Sequence, residues 1–374
     1  MVDLFILAAE PSGDAHGARL IEELLAKHPD LKISAIAGPK MRALPIECVG
    51  RMEDLQVMGF IDVLWALPRI AHHFFSIRNT ILTLKPKAVI CIDYPGFNLR
   101  MEKSLRKKGF TGKLIHYICP SVWAWGKKRV PKMARTLDLL LSILPFEKSF
   151  FQKTKLPVEY IGHPLIDAVK NHPEQADFRT TYQLTGKILA LFPGSRKGEI
   201  EQNFPLQLEA ARRLCSLDPQ LQVAISVCSK EREAQVWSMA GLKAICIPPE
   251  HTYDLMRHSH LALAKSGTVT LELALHEVPT VVHYAIKPID LFLAQKIFKI
   301  NLPHYCIVNI IAEKRIFPEL YGPRFTLNNL VEAAQTLLKN STACRNGCME
   351  VKKILGNQPA SQIAAERISS LIYK

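Results

Sequence analysis

Short, almost wholly apolar runs recur along the chain, and helix-length amphipathic segments separate most of them. A run that is apolar at every position has no polar face to offer water, so both of its sides must be covered. Helices between such runs supply the cover, and the outcome is a parallel sheet with helices on both faces. The runs at 2–9, 33–37, 88–93, 114–119, 139–144 and 158–161 form one such series. The pattern pauses at His163-Pro164 and the polar stretch 170–181. It restarts at 188–192, 223–227, 244–247, 261–264 and 280–284, and helices follow near 327–339 and 359–372. The expected fold is α/β: two Rossmann-like domains facing a central cleft. The expected boundaries are 1–164, 165–355 and a terminal helix within 356–374 that can cross back to the first domain.

Composition narrows the classes of function. With 48% hydrophobic and 22% charged residues, the chain can bury substantial cores and is not disordered. No stretch of about 18 uninterrupted apolar residues is present, so no membrane-spanning helix is expected. Nothing at the N-terminus resembles a signal peptide, and the expected location is cytoplasmic. Nine cysteines are scattered without a C-x-x-C pair, which favours buried, reduced thiols over zinc or disulfides. The net charge is +14. Residues 1–164 carry 24 Lys and Arg against 15 Asp and Glu, so the excess is concentrated in the first half. Such a surface suits anionic partners: nucleic acid, acidic lipid or phosphorylated substrates.

In doubly wound sheets ligands bind beyond the carboxyl ends of the strands, so the chemistry belongs in the loops that follow them. "ALFPGSRKGEIEQ" (190–202) turns through Gly194, Ser195 and Arg196 into a helix. Free amides at a helix start attract an anion, and an arginine suits a diphosphate; a plain strand-to-helix turn reads the same way. "LALAKSGTVTLELALHEVPTVV" (261–282) places Ser266, Gly267 and Thr268 at a second helix start. Glu272 follows one turn later, where it could accept hydrogen bonds from ribose hydroxyls. Helix capping alone would also favour these residues. Two anion-ready loops in one domain point to a nucleotide diphosphate. There is no G-x-G-x-x-G, no Walker A sequence and no D-x-D pair, so neither a dinucleotide nor a bridging metal is expected.

In the first domain, "ICIDYPGFNLR" (90–100) puts Asp93 at a strand tip near Asn98. That place suits a general base, or an Asx turn before Pro95. "HYICPSVWAWGKKRVPK" (116–132) sets Trp123 and Trp125 before a basic cluster, suited to sugar or acyl surface, to core filling, or to stacking single-stranded nucleic acid. The stretch 54–86 reads as a core helix or an exposed apolar patch. His16, His116 and His163 read as structural, and no histidine pair has metal-ligand spacing.

Taken in order, "SGD" (12–14), "MGFIDVL" (58–64), "IDYPGFN" (92–98), "HYICPSVWAW" (116–125), "LPFEKSFF" (144–151), "IGHP" (161–164), "FPGSR" (192–196) and "SGTVTLE" (266–272) resemble the lipid-A-disaccharide synthase family over nearly the full chain. The resemblance implies a GT-B fold with the donor nucleotide held mostly by the second domain. The implied reaction is an inverting transfer from UDP-2,3-diacylglucosamine to 2,3-diacylglucosamine 1-phosphate, giving a β-1,6 disaccharide and UDP. It implies Asp93 as the base, with Gly194, Ser195, Arg196, Ser266, Gly267, Thr268, Glu272 and Asn309 around UDP. Glu10, Ser12, Gly13, Asp14, Asn98 and Trp123 would shape the acceptor or sugar pocket, with Glu10 and Asp14 as alternative bases. The UDP-sugar is a substrate, and no cofactor or metal is implied. The implied setting is the cytoplasmic face of the inner membrane, against anionic lipid and without nucleic acid. Two positions depart from the family: Gly96 where it often has Asp, and Gly322 where it usually has Gln. Readings that compete are a UDP-sugar 2-epimerase, a transferase for another acceptor and, furthest from the motifs, a nucleic-acid-binding protein.

Overall fold

The computed structural model describes residues 2–55, 60–124, 126–240, 244–287, 291 and 302–373; the side chains of 60–67 lie outside the description. By packing, the chain divides into two units: Met1–Pro164 with Asn357–Lys374, and Leu165–Gly356.

The first unit is built on seven parallel strands in the order β3-β2-β1-β4-β5-β6-β7. These are β1 (Leu4–Ala8), β2 (Ile33–Ala37), β3 (Glu47–Arg51), β4 (Ala88–Ile92), β5 (Lys113–Tyr117), β6 (Leu139–Ser142) and β7 (Val158–Tyr160). Strand β1 shows why three layers form. Leu4, Ile6 and Ala8 enter one core and Phe5, Leu7 and Ala9 another, because successive side chains point to opposite faces. The first core is closed by helix Pro11–Lys27, through Leu20, Ile21 and Leu24. The terminal helix Ala360–Ile372 completes it, with Ala360, Ala364 and Ile368 one turn apart on its inner face. Helix Pro95–Lys107 covers the other core with Phe97, Met101 and Leu105. Each fully buried side chain of Leu or Phe size contributes about 1.5–3 kcal/mol.

Helix Phe60–Leu84 resolves part of the 54–86 question. Ile77 and Ile81 are buried and Ile70, Phe74 and Leu82 pack on the same core, so this portion is a core helix. Phe75 alone of these faces outward, 51% exposed, with the Arg78 guanidinium 5.0 Å from its ring. The side chains of 58–67 lie outside the described residues.

The second unit holds six parallel strands in the order β10-β9-β8-β11-β12-β13: β8 (Lys187–Phe192), β9 (Leu221–Ser226), β10 (Ile245–Ile247), β11 (Ser259–Lys265), β12 (Thr280–Tyr284) and β13 (Glu319–Tyr321). Ile188, Ala190 and Phe192 join Leu255, Met256 and Leu273 in one core, while Leu189 and Leu191 are buried on the opposite face.

In both sheets the strand order reverses next to the first strand. The reversal lies between β1 and β4 in one unit and between β8 and β11 in the other. There the loops after neighbouring strands leave in opposite directions and open a crevice. Register places Ala8 beside Ile92 and Phe192 beside Ala264, so the loop pairs 9–14 with 93–98 and 193–196 with 265–268 begin side by side.

Candidate active site

A cavity of about 520 Å³ opens at the reversal of the second sheet. Its wall includes Gly194 and Ser195 from the loop after β8, Lys265, Gly267 and Thr268 from the end of β11, and Glu272 from the helix beyond. Gly194 has φ +116°, which a side chain would strain, and a Cβ there would come within 3.1 Å of Glu199. Arg196 caps helix Lys197–Leu217, and Glu199 on its first turn reaches back to the loop amides.

The expected nucleotide residues divide. Gly194, Ser195, Gly267, Thr268 and Glu272 line the cavity together. Ser266 stands beside it, its Oγ accepting a hydrogen bond from the Tyr321 hydroxyl at 3.0 Å. Arg196 points outward, with its side chain 84% exposed and its guanidinium 3.2 Å from Glu199. Asn309 is fully buried, and its amide is spent internally. Nδ2 donates to the Phe317 carbonyl (2.9 Å) and to Glu319 (2.8 Å), and Oδ1 accepts from the amides of Ile316 and Phe317. It pins the segment entering β13 and does not line the cavity wall.

Glu272 Oε1 accepts a hydrogen bond from the Tyr253 hydroxyl at 2.9 Å. Burial raises the Glu272 carboxyl above the usual carboxylate range, and the Tyr253 bond only partly offsets it. Tyr253 is held between His172 and His276, with ring centroids 5.0 and 5.2 Å away. Sequence reasoning passed over Lys265 and Tyr253. The first had a signal, a cation at the last position of an apolar run; the second had none, since Tyr253 comes from a separate helix, Thr252–His258.

At the reversal of the first sheet, Asp93 and Tyr94 are consecutive residues in the left-handed region, both at φ +46°. Two such non-glycine residues store strain, which the surroundings must hold in place. Asn98 does part of this: buried in helix Pro95–Lys107, its Nδ2 donates to the carbonyls of Ile92 (3.1 Å) and Asp93 (2.7 Å). Asn98 thus supports the turn that presents Asp93. Burial raises the Asp93 carboxyl above its ordinary value, with the nearby His116 and the Tyr94 amide pulling the other way. Glu10 caps helix Pro11–Lys27 and lies near enough to Tyr94 to add to the upward push that burial gives its phenol. Gly13 is buried over the Ile92 carbonyl and Ser12 is exposed. Trp123 is half-buried, edge to face with Phe146 at 5.8 Å.

Asp14 does not join them. It is 2% exposed, and its carboxylate accepts the backbone amides of Gly38 (2.9 Å), Lys40 (2.9 Å) and Met41 (3.1 Å). It holds the turn after β2. Among the described residues no group of three His, Cys, Asp or Glu side chains is gathered around a point. Among them, too, no helix is long and apolar enough to cross a membrane.

Two doubly wound parallel sheets in one chain, each with a strand-order reversal beside its first strand, define the GT-B class of α/β protein. Solved structures share this fold. A UDP-GlcNAc 2-epimerase from Neisseria meningitidis, bound to UDP-GlcNAc, matches with a TM-score of 0.65 at 14% identity, covering 99% of this chain and 100% of that one. CalG4, the calicheamicin glycosyltransferase, matches at 0.61 and 12%, covering 100% and 99%. The chain belongs to the lipid-A-disaccharide synthetase family, whose family model matches residues 4–371. The lipid-A-disaccharide synthase of Geobacter metallireducens is 32% identical over 99% of this chain and 97% of its own length. That of Chlamydia pneumoniae is 37% identical over 99% of this chain, and the match spans 62% of the chlamydial protein.

Proposed function

We propose that the chain is an inverting glycosyltransferase that joins UDP-2,3-diacylglucosamine to 2,3-diacylglucosamine 1-phosphate, releasing UDP and forming the β-1,6 disaccharide 1-phosphate. The observation that carries this is the family match along 4–371, with a cavity at the second sheet's reversal lined by the two loops whose sequences suit a diphosphate. UDP lies along Gly194, Ser195, Ser266, Gly267 and Thr268, with its ribose toward Glu272.

Inversion needs a single displacement at the anomeric carbon. The acceptor's 6-hydroxyl attacks, its proton passes to a carboxylate, and the glycosidic C–O bond to UDP breaks with both electrons leaving on the diphosphate. Asp93 is the base in this reading, a role worth about 10²–10⁴-fold in rate. Its raised pKa makes it a better proton acceptor once ionised, and the amides of the two loops stabilise the leaving diphosphate. Glu10, Ser12, Gly13 and Trp123 shape the sugar side. The positive excess of the first 164 residues faces the anionic inner-membrane surface on its cytoplasmic side, where both acylated sugars reside.

The test is product analysis after incubation with both acylated sugars. A β-linked disaccharide 1-phosphate and stoichiometric UDP are expected. An epimerised UDP-sugar with no disaccharide would instead assign the chain to the chemistry named for its epimerase neighbours, and no product from folded protein would refute the proposal.

A further inference from the structure

Glu199 sits where an anion would. Its Oε2 accepts the backbone amides of Ser195 (3.3 Å) and Arg196 (3.4 Å). Its Oε1 lies 3.2 Å from the Arg196 guanidinium and 3.0 Å from the Lys265 ammonium. Two amides at a helix start and two cations around one oxyanion are the donor set a phosphate needs, and here a carboxylate of the same chain occupies it. Burial opposes ionisation of Glu199, but the Lys265 bond and charge and the two amides outweigh it, and its carboxyl is held below the ordinary value.

The two cations are not equivalent. The Arg196 side chain is 84% exposed and outside the cavity wall, whereas that of Lys265 is 14% exposed and lines the wall. The Lys265 stem passes Gly194, where an added Cβ would lie 3.6 Å from its Cδ, and its ammonium lies 4.0 Å from the corresponding point on Gly267. The same ammonium stands 5.0 Å from the centre of the Tyr284 ring. A lysine so withdrawn from water needs an anion to meet, and in this structure Glu199 supplies it. Its position between the two loops is the one from which a single charge reaches a ligand touching both.

We propose that Lys265 is the cation that grips the diphosphate in this cavity, and that Glu199 competes with the ligand's phosphates for Lys265 and for the amides of Ser195 and Arg196. This rests on the nucleotide-diphosphate reading above and adds to it the residue that senses the phosphates. The competition makes opposite predictions for the two members of one ion pair, which a merely structural pair would not.

Calorimetric titration of the full chain with UDP and, separately, with uridine tests this. Lys265→Met weakens UDP about 10- to 100-fold, the range for a lost charged hydrogen bond, and leaves uridine within about two-fold. Lys265→Arg recovers most of the loss, and Glu199→Gln binds UDP several-fold tighter with uridine unchanged. Lys265→Met that binds UDP like the parent, or that loses uridine to the same extent, overturns the proposal. Should Lys265→Met fail to fold, Glu199→Gln decides alone: tighter UDP supports the proposal and unchanged or weaker UDP overturns it. A parent chain that binds UDP no better than uridine overturns the diphosphate reading itself, and this inference with it.

Discussion

His116 Nδ1 lies 2.6 Å from Glu102 Oε1, and neither side chain reaches water. The contact ties β5 to helix Pro95–Lys107, the helix that begins just after Asp93. It therefore fixes the turn on both sides: Asn98 binds its carbonyls, and Glu102, one turn along, anchors the same helix to the neighbouring strand. His116→Phe strands the Glu102 carboxyl in the interior, and the expected cost is about 2–3 kcal/mol in urea unfolding. Adding Glu102→Met to that variant removes the stranded group and recovers part of the loss. Equal stability of the single and double variants would contradict this account.

Asp14 predicts a loss of a different kind. Three backbone amides converge on its carboxylate within 3.1 Å. Asp14→Ala leaves all three without that acceptor and is expected to lower stability by about 2–3 kcal/mol. If Asp14 were instead a reacting group, the variant would lose turnover while unfolding like the parent.

Stability should fall as the solution is acidified from neutrality. Burial holds His16 and His163 down to about 4, and His283, stacked on Phe325 with ring centroids 4.4 Å apart, down to about 3. Each is neutral when folded, while the unfolded chain takes up protons below the ordinary histidine value of about 6.5. The unfolded state thus binds more protons, and the stabilisation present above pH 6.5 is lost as pH falls toward 4, on the order of 2–3 kcal/mol for each group. Glu147 acts in the opposite direction. Burial pushes it up to about 8, so its contribution is present below the ordinary carboxyl value and is lost as pH rises through 8. Unfolding followed from pH 4 to 9 checks both limbs, and Glu147→Gln should flatten the alkaline one.

Gly96 can take a side chain at low structural cost. A Cβ there meets nothing within 4 Å, and the residue lies in the first turn of helix Pro95–Lys107. Gly96→Asp replaces a flexible residue and adds a negative charge where the helix dipole favours one. The expected gain is about 0.5–1.5 kcal/mol in unfolding free energy. The new carboxylate beside Asp93 should also shift the acid limb of the pH–rate profile upward, by like-charge repulsion.

The buried strands were legible because apolar runs covered on both faces leave little choice, and β1, β4 and β8 follow the expected runs closely. Of the four edge strands, β7 and β10 were legible as short apolar runs, and β3 and β13 were not. Residues 47–51 of β3 are mostly exposed and carry Glu47, Arg51 and Gly50, so no apolar run marks them. β13 has three residues and is defined by pairing with β12. At the sites, the loops expected from where the strands stop do bring Gly194, Gly267 and Thr268 to the wall of one cavity. The backbone bonds of Asp14 and Asn309 were not legible, because a carboxylate or amide in a loop looks the same whether it faces a ligand or holds the backbone of a distant segment. Loop chemistry named Arg196, whose side chain is 84% exposed, and passed over Lys265, whose side chain is 14% exposed, since burial of a cation depends on tertiary packing.

The most direct test is the initial rate of UDP release with both acylated sugars, measured side by side for the parent and Asp93→Asn. The account predicts that the parent turns over, with its rate falling as acid titrates a carboxyl whose pKa lies above the ordinary aspartate value. Asp93→Asn should bind UDP unchanged and turn over about 10²–10⁴-fold more slowly. A folded Asp93→Asn variant that turns over near the parent rate would contradict it.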